Sequence, residues 1–169
     1  MSQHEAKTRR IYIYTDGSSK GNPGQGGLGI VMELFGTDYK KEFSEGFRRT
    51  TNNRMELLAV IMALEKIKRF RQEVTVFSDS KYVVEAVEKR WVFGWKKKEF
   101  QNKKNADLWG RFLTVYLRHV VVFQWIKGHN NHPKNERCHQ LATQAAQQER
   151  LKIDLEYELK DPFKAKFSS

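Results

Sequence analysis

Apolar residues recur along this chain with two different periods. In Arg10–Thr15 (RIYIYT) β-branched and aromatic residues alternate, which predicts a strand. A glycine-rich stretch (GSSKGNPGQGG) follows and predicts a turn, after which Leu28–Phe35 reads as a second strand. The turn near Gly36–Asp38 leads into a third strand, Tyr39–Phe47, so the first three strands form an antiparallel meander. From a cap at Thr51 or Asn52 to about Lys68 the pattern turns helical. Its middle is apolar nearly all round, which marks a helix buried against the sheet. A fourth strand (Glu73–Ser78), a helix (Lys81–Lys89), a further helix (about Ala106–Arg118) and a fifth strand (Val120–Ile126) follow. The loop Lys127–Lys134 precedes a last helix over about Asn135–Lys152. Strands joined through helices add in parallel, so the expected architecture is α/β: a mixed five-stranded sheet, meander plus two parallel strands, flanked by helices. No internal repeat or second domain is visible. Residues 1–9 are polar and read as a flexible N-terminus, 10–152 as the domain, and 153–169 as a tail. Ile153–Leu159 alternates (I-D-L-E-Y-E-L) and fits either an edge strand or disorder.

A chain of 169 residues can bury one sizeable core without disulfides. Its one cysteine, Cys138, cannot form an internal bridge, and the longest apolar run, Leu57–Leu64, has only eight residues. The expectation is a soluble, cytoplasmic monomer with no membrane partner. Charge points to a different partner. A formal net charge of +11 is what a polyanion-binding protein carries, because each Lys or Arg that neutralises a phosphate releases counterions. Seven of the basic residues fall between Lys89 and Lys104 against one acid, Glu99. Trp91, Phe93, Trp95 and Phe100 are interleaved with them, as in surfaces that hold a phosphate backbone and stack on sugars or bases.

Three acids stand apart from the charged surface runs. Asp16 ends the first strand, Asp79 follows the fourth, and Glu56 lies in the first turns of the central helix, each among small or polar neighbours. Parallel first and fourth strands would bring Asp16 and Asp79 together at their carboxyl ends, with Glu56 facing both. Converging carboxylates repel one another unless cations hold them ionised, and hard oxygen ligands select Mg²⁺ or Mn²⁺. Any one of these acids alone would read as a turn aspartate or a helix-cap glutamate.

Rival patterns carry less. Gly24, Gly26 and Gly29 satisfy G-x-G-x-x-G, but the dinucleotide fingerprint needs a helix next, and Leu28–Phe35 reads as a strand. His129, His132, Cys138 and His139 lack zinc spacing, since Cys138 and His139 are helix neighbours pointing apart. His132 reads as a loop residue bracing His129, and Trp109 and Trp125 as core.

The segments YTDGSSKGNPG, TTNNRMELLAV, FSDSKYVV, W-x-x-x-WKKK, NADLW and KGHNNHPKNER together resemble the bacterial type-1 ribonuclease H family, in its order and spacing, over about residues 10–150. The resemblance implies a ribonuclease H-like fold over 10–152. It also implies an endonuclease that hydrolyses the RNA strand of RNA/DNA hybrids with two Mg²⁺ or Mn²⁺ ions, leaving 3′-hydroxyl and 5′-phosphate ends. Asp16, Glu56 and Asp79 match the family's metal-binding carboxylates. His129 matches its mobile histidine, which assists proton transfer and product release. Asn22, Asn52, Asn53 and Lys81 match residues lining the hybrid's minor groove, where contacts to 2′-hydroxyls select RNA. Thr51 and Asn105, with Arg49, match a pocket for a phosphate of the DNA strand. Trp91, Trp95, Lys96, Lys97 and Lys98 match the basic protrusion that grips that strand. Many relatives have Gln at position 81.

His139 is the main departure. In ERCHQLA the family usually has Asp at this position, its fourth active-site acid. His139 is therefore expected as a metal ligand that weakens the second ion and favours Mn²⁺ over Mg²⁺. It fits a tolerated natural variant, an engineered substitution, or a hybrid-binding protein with little or no turnover. An integrase-like enzyme on the same fold would lack TTNNR and the basic protrusion.

Overall fold

The structure, a computed structural model, describes residues 9–128 and 132–160. Among these described residues eleven elements follow in chain order: β1 (Arg10–Gly21), β2 (Gly24–Leu34), β3 (Lys40–Thr50), α1 (Asn52–Glu65), β4 (Glu73–Ser78), α2 (Lys81–Glu88), α3 (Trp91–Lys97), α4 (Ala106–Tyr116), β5 (Val120–Trp125), α5 (Pro133–Ala146) and α6 (Leu155–Lys160). The sheet order is β3-β2-β1-β4-β5. β1, β2 and β3 are antiparallel neighbours, whereas β4 lies parallel to β1 and β5 parallel to β4. This is the mixed sheet the hydrophobic pattern predicts.

α1 begins where the Thr51 side chain accepts a hydrogen bond from the Arg54 amide, so Thr51 rather than Asn52 is the cap. Met55, Leu57–Ile61, Ala63 and Leu64 are all buried, which explains the apolar middle. The helix packs with Ile13, Leu28, Ile30 and the α4 side chains Trp109 and Phe112 in the main core on one face of the sheet. A smaller cluster on the other face joins Tyr14, Val31 and Cys138 under α5.

The glycine-rich stretch departs from its expected form. β1 continues to Gly21 and β2 starts at Gly24, leaving only Asn22 and Pro23 as the turn, joined by a cis peptide bond. The glycines serve packing. A Cβ at Gly29 would stand 2.1 Å from the Cys138 carbonyl oxygen, so α5 can rest directly on β2 only without a side chain there. At Gly17 a Cβ would meet the Glu56 amide nitrogen at 2.3 Å, so the same close approach seats α1 on β1.

Other boundaries also shift. The basic stretch contains α3, anchored by buried Val92 and preceded by Arg90 in a left-handed conformation. α5 stops at Ala146, six residues before the expected end, because Gln147–Arg150 offers no apolar face. Lys152 then pairs with Phe47 beside β3, and residues 155–160 form α6 in place of an edge strand or disorder. Trp109 is core, but Trp125 is 44% exposed, because β5 is the sheet's outer strand. Among the described residues no helix is long and apolar enough to cross a membrane.

Candidate active site

The register of β1 and β4 pairs Tyr14 with Phe77, so Asp16 and Asp79 lie side by side two residues further on. Gly17 brings α1 close enough that Glu56 reaches the same point. One carboxylate oxygen from each of Asp16, Glu56 and Asp79 lies within 4.8 Å of the others. Asp16 and Glu56 are 5% exposed, and the Glu56 Oε2 atom is buried with no hydrogen-bond partner among the described residues. Burial, then the neighbouring charges of Asp16 and Asp79, holds the Glu56 carboxyl well above the ordinary range. Asp16 is raised by burial and by Asp79, against a lowering contact from His139. Three converging carboxyls, one with an orphaned oxygen, form an all-oxygen donor set suited to Mg²⁺ or Mn²⁺.

His139 projects from α5 into the same cleft, with Nδ1 2.8 Å from Asp16 Oδ2. It stands outside the close group formed by the three carboxylates. Glu136, Asn135 and Gln140 of α5 and Ser18 of β1 line the cleft as well. Sequence reasoning missed them, although Glu136 precedes His139 by three residues and so shares its helix face. The cleft is open to water on the side of Asn52.

The expected nucleic-acid contacts fall into four places. Asn22 and Asn52 meet at the cleft's edge, where the Asn52 amide donates to Asn22 Oδ1 at 3.2 Å, and exposed Asn53 follows. Lys81 opens α2, with its Nζ 5.2 Å from the centre of the Trp125 ring, and Trp125 Nε1 donates to the Asp79 carbonyl at 3.1 Å. Trp125 therefore braces the Asp79 loop, a role its apolar context hid. Arg49 and Thr51 flank buried Thr50 at the end of β3, and Asn105 stands at the start of α4. Further away, Trp91, Trp95 and Lys98 line a separate cleft with Arg90 and Lys103, while Lys96 and Lys97 are exposed in the last turn of α3. His132 caps α5, accepting at Nδ1 from the Asn135 amide, and its ring lies 5.5 Å from that of Tyr14. His129 lies outside the described residues.

A buried ion-pair network stands behind this surface. Arg54 is 4% exposed and donates to Asp107 through Nη1 and Nη2, and to Asp154 through Nε and Nη2. Thr50 Oγ1 also donates to Asp154, at 2.7 Å. Burial alone would raise the Asp107 carboxyl, but the Arg54 guanidinium overcomes it and holds that carboxyl low.

The RNase H family model matches residues 8–147. Ribonuclease H of Desulforamulus reducens is 50% identical over 152 residues, covering 87% of this chain and 94% of that protein. Among solved structures, LC9-RNase H1, described as a type 1 RNase H with the type 2 active-site motif, superposes with a TM-score of 0.74 at 31% identity, covering 82% of this chain and 72% of that one. LC11-RNase H1 in complex with RNA/DNA hybrid gives a TM-score of 0.64 at 28% identity, covering 80% and 96%. The fold and its carboxylate cleft thus define an RNase H-like protein. The chain belongs to the RNase H family.

Proposed function

We propose that this protein is an endonuclease that hydrolyses the RNA strand of RNA/DNA hybrids, leaving 3′-hydroxyl and 5′-phosphate ends, and that it acts as a monomer in the cytoplasm. The observation that carries the reading is the convergence of Asp16, Glu56 and Asp79 in one cleft beside Asn22 and Asn52. Relatives named ribonuclease H, and a neighbour solved with an RNA/DNA hybrid, support it.

Asp16, Glu56 and Asp79 would hold two divalent cations, Mg²⁺ or Mn²⁺, with His139 at the corner beside Asp16. When bound, such ions neutralise the acids and stabilise charge that develops on the scissile phosphate. The chain's own residues do the positioning. Asn22, Asn52, Asn53 and Lys81 face the minor groove, where 2′-hydroxyls distinguish the RNA strand. Arg49, Thr51 and Asn105 receive a phosphate of the DNA strand. Trp91, Trp95, Lys96, Lys97 and Lys98 hold the same strand further along. His129 is assigned to proton transfer and product release from its match to the family motif.

A panel of end-labelled duplexes tests this reading. The hybrid's RNA strand should be cut internally, while double-stranded DNA, double-stranded RNA and single-stranded RNA survive. Equal cutting of double-stranded RNA would refute hybrid specificity.

A further inference from the structure

Asn105 occupies the helix N-cap of α4, yet its side chain makes no cap hydrogen bond, and its backbone is left-handed with φ 59°. An Asn in that position normally turns its oxygen onto the amides of the helix's first turn. Here the amide group is held at both ends by other side chains. Asn105 Oδ1 accepts from Arg54 Nη1 at 3.3 Å, and Asn105 Nδ2 donates to the Tyr82 hydroxyl at 2.9 Å. Arginine can only donate, so the oxygen must face Arg54 and the nitrogen must face Tyr82. The orientation of the amide is thereby determined, with one N–H used on Tyr82 and the other left for a ligand.

Tyr82 is itself anchored. Its hydroxyl accepts a second hydrogen bond from Trp109 Nε1 at 3.0 Å, and Trp109 is 1% exposed in the main core. The two rings also pack at 5.6 Å. The Tyr82 oxygen is thus pinned by a core residue and presents its remaining lone pair to Asn105. On the other side Arg54 is immobilised by two buried or half-buried carboxylates, Asp154 and Asp107. A flexible asparagine at the mouth of a pocket would have to be ordered by each incoming phosphate, at a cost in affinity that this arrangement removes in advance.

We propose that Tyr82 is a positioning residue for the DNA-strand phosphate pocket, setting the Asn105 amide through its hydroxyl before substrate arrives. This rests on the assignment of Asn105 to that pocket. Tyr82 does not line the carboxylate cleft. Its effect is therefore on binding, with KM raised and kcat unchanged.

The test is a scan in which each phosphate of the DNA strand is replaced in turn by an uncharged methylphosphonate, with hybrid affinity measured at fixed salt. In the wild-type protein one position should stand out, with affinity reduced about tenfold, as expected for a charge-assisted hydrogen bond. Asn105→Ala should flatten that peak; if it does not, the pocket assignment fails, and the proposal with it. If Asn105→Ala flattens the peak, Tyr82→Phe should flatten it as well, and raise KM about five- to tenfold without changing kcat. A wild-type peak in Tyr82→Phe would overturn the proposal and leave the pocket standing. Phe112→Leu is the control for packing alone, since it removes a core ring packed on Trp109 and keeps both bonds of the Tyr82 hydroxyl. It should lower the melting temperature and retain the peak; flattening as large as that of Tyr82→Phe would also overturn the proposal. Should Tyr82→Phe not fold, the wild-type ¹⁵N spectrum without substrate gives a second readout. Of the two Asn105 side-chain amide protons, the one bonded to Tyr82 should exchange with solvent more slowly than the other, and equally fast exchange of both would contradict pre-positioning.

Discussion

Nδ1 of His139 lies 2.8 Å from Oδ2 of Asp16, so the residue that departs from the family's fourth acid is in direct contact with its first. With Asp16 ionised, that distance requires the proton on Nδ1. An imidazole in this state adds no negative charge, and it ties up an oxygen of Asp16 that a metal would otherwise use.

Replacing His139 by Asp should therefore lower the Mg²⁺ concentration for half-maximal cleavage, by roughly tenfold, because a charge ~4 Å away is worth ~1–4 kcal/mol near a protein surface. The wild-type protein should favour Mn²⁺ over Mg²⁺ more than His139→Asp does. Parallel metal titrations of both proteins on one hybrid make the comparison. Superimposable curves would show that position 139 is not a working ligand.

The raised carboxyls of Glu56 and Asp16 predict a stability effect without metal. A carboxyl whose folded value lies above its unfolded one binds extra protons in the folded state. Its contribution is fully present below the unfolded value and lost as pH rises through the folded one. At neutral pH Glu56 is thus a source of repulsion, and Glu56→Gln should raise the melting temperature of the metal-free protein. The rise should be about 2–4 °C for each kcal/mol relieved in a domain of this size. The gap between the two proteins should narrow as pH falls from neutral towards 4, and saturating Mg²⁺ should narrow it as well by stabilising the wild type. Scanning calorimetry of metal-free protein across that pH range makes the check, and a Glu56→Gln variant less stable than wild type at pH 7 would contradict it.

Neutralising Lys96, Lys97 and Lys98 should weaken hybrid binding and flatten its dependence on salt by up to about 0.9 per lost phosphate contact. Cleavage at saturating substrate should barely change. An unaltered slope in affinities measured from low to moderate salt would mean that these exposed lysines at the end of α3 only face solvent.

Asp154→Ala should be severely destabilising, by about 3–5 kcal/mol, because it removes both hydrogen bonds of the buried Arg54 guanidinium to that carboxylate and leaves Thr50 without its acceptor. Urea unfolding measures this directly. A loss below about 1 kcal/mol would show that the segment after α5 is not tied to the core through this pair.

Much of this was legible because the signals were local. The alternation in Arg10–Thr15 and the caps and spacing around Asn52–Leu64 reflect neighbours within a few residues, so strands, central helix and carboxylate triad could be placed from the chain alone. Gly27 reads as a turn residue because composition cannot distinguish a bend from a place where another backbone presses close; only the seating of α5 decides it. Trp125 looked like core because an apolar strand carries no mark of being outermost. α3 is seven residues of mostly basic and aromatic character, held by Val92 and its neighbours more than by its own pattern. The bonds of Asn105 to Arg54 and Tyr82 join positions 51 and 23 residues apart, and no periodicity encodes them.

The central claim, that Asp16, Glu56 and Asp79 hold the cations that drive hydrolysis of the RNA strand, is tested most directly through Asp79. The measurement is single-turnover cleavage of an RNA-labelled hybrid in Mg²⁺ and in Mn²⁺ by wild type and by Asp79→Asn, with hybrid affinity measured on both. Wild type should cut the RNA strand internally, whereas Asp79→Asn should bind the hybrid about as well and cleave at least roughly a thousandfold more slowly, a loss of about 4 kcal/mol of transition-state stabilisation. Near wild-type cleavage by Asp79→Asn would contradict the assignment of the site.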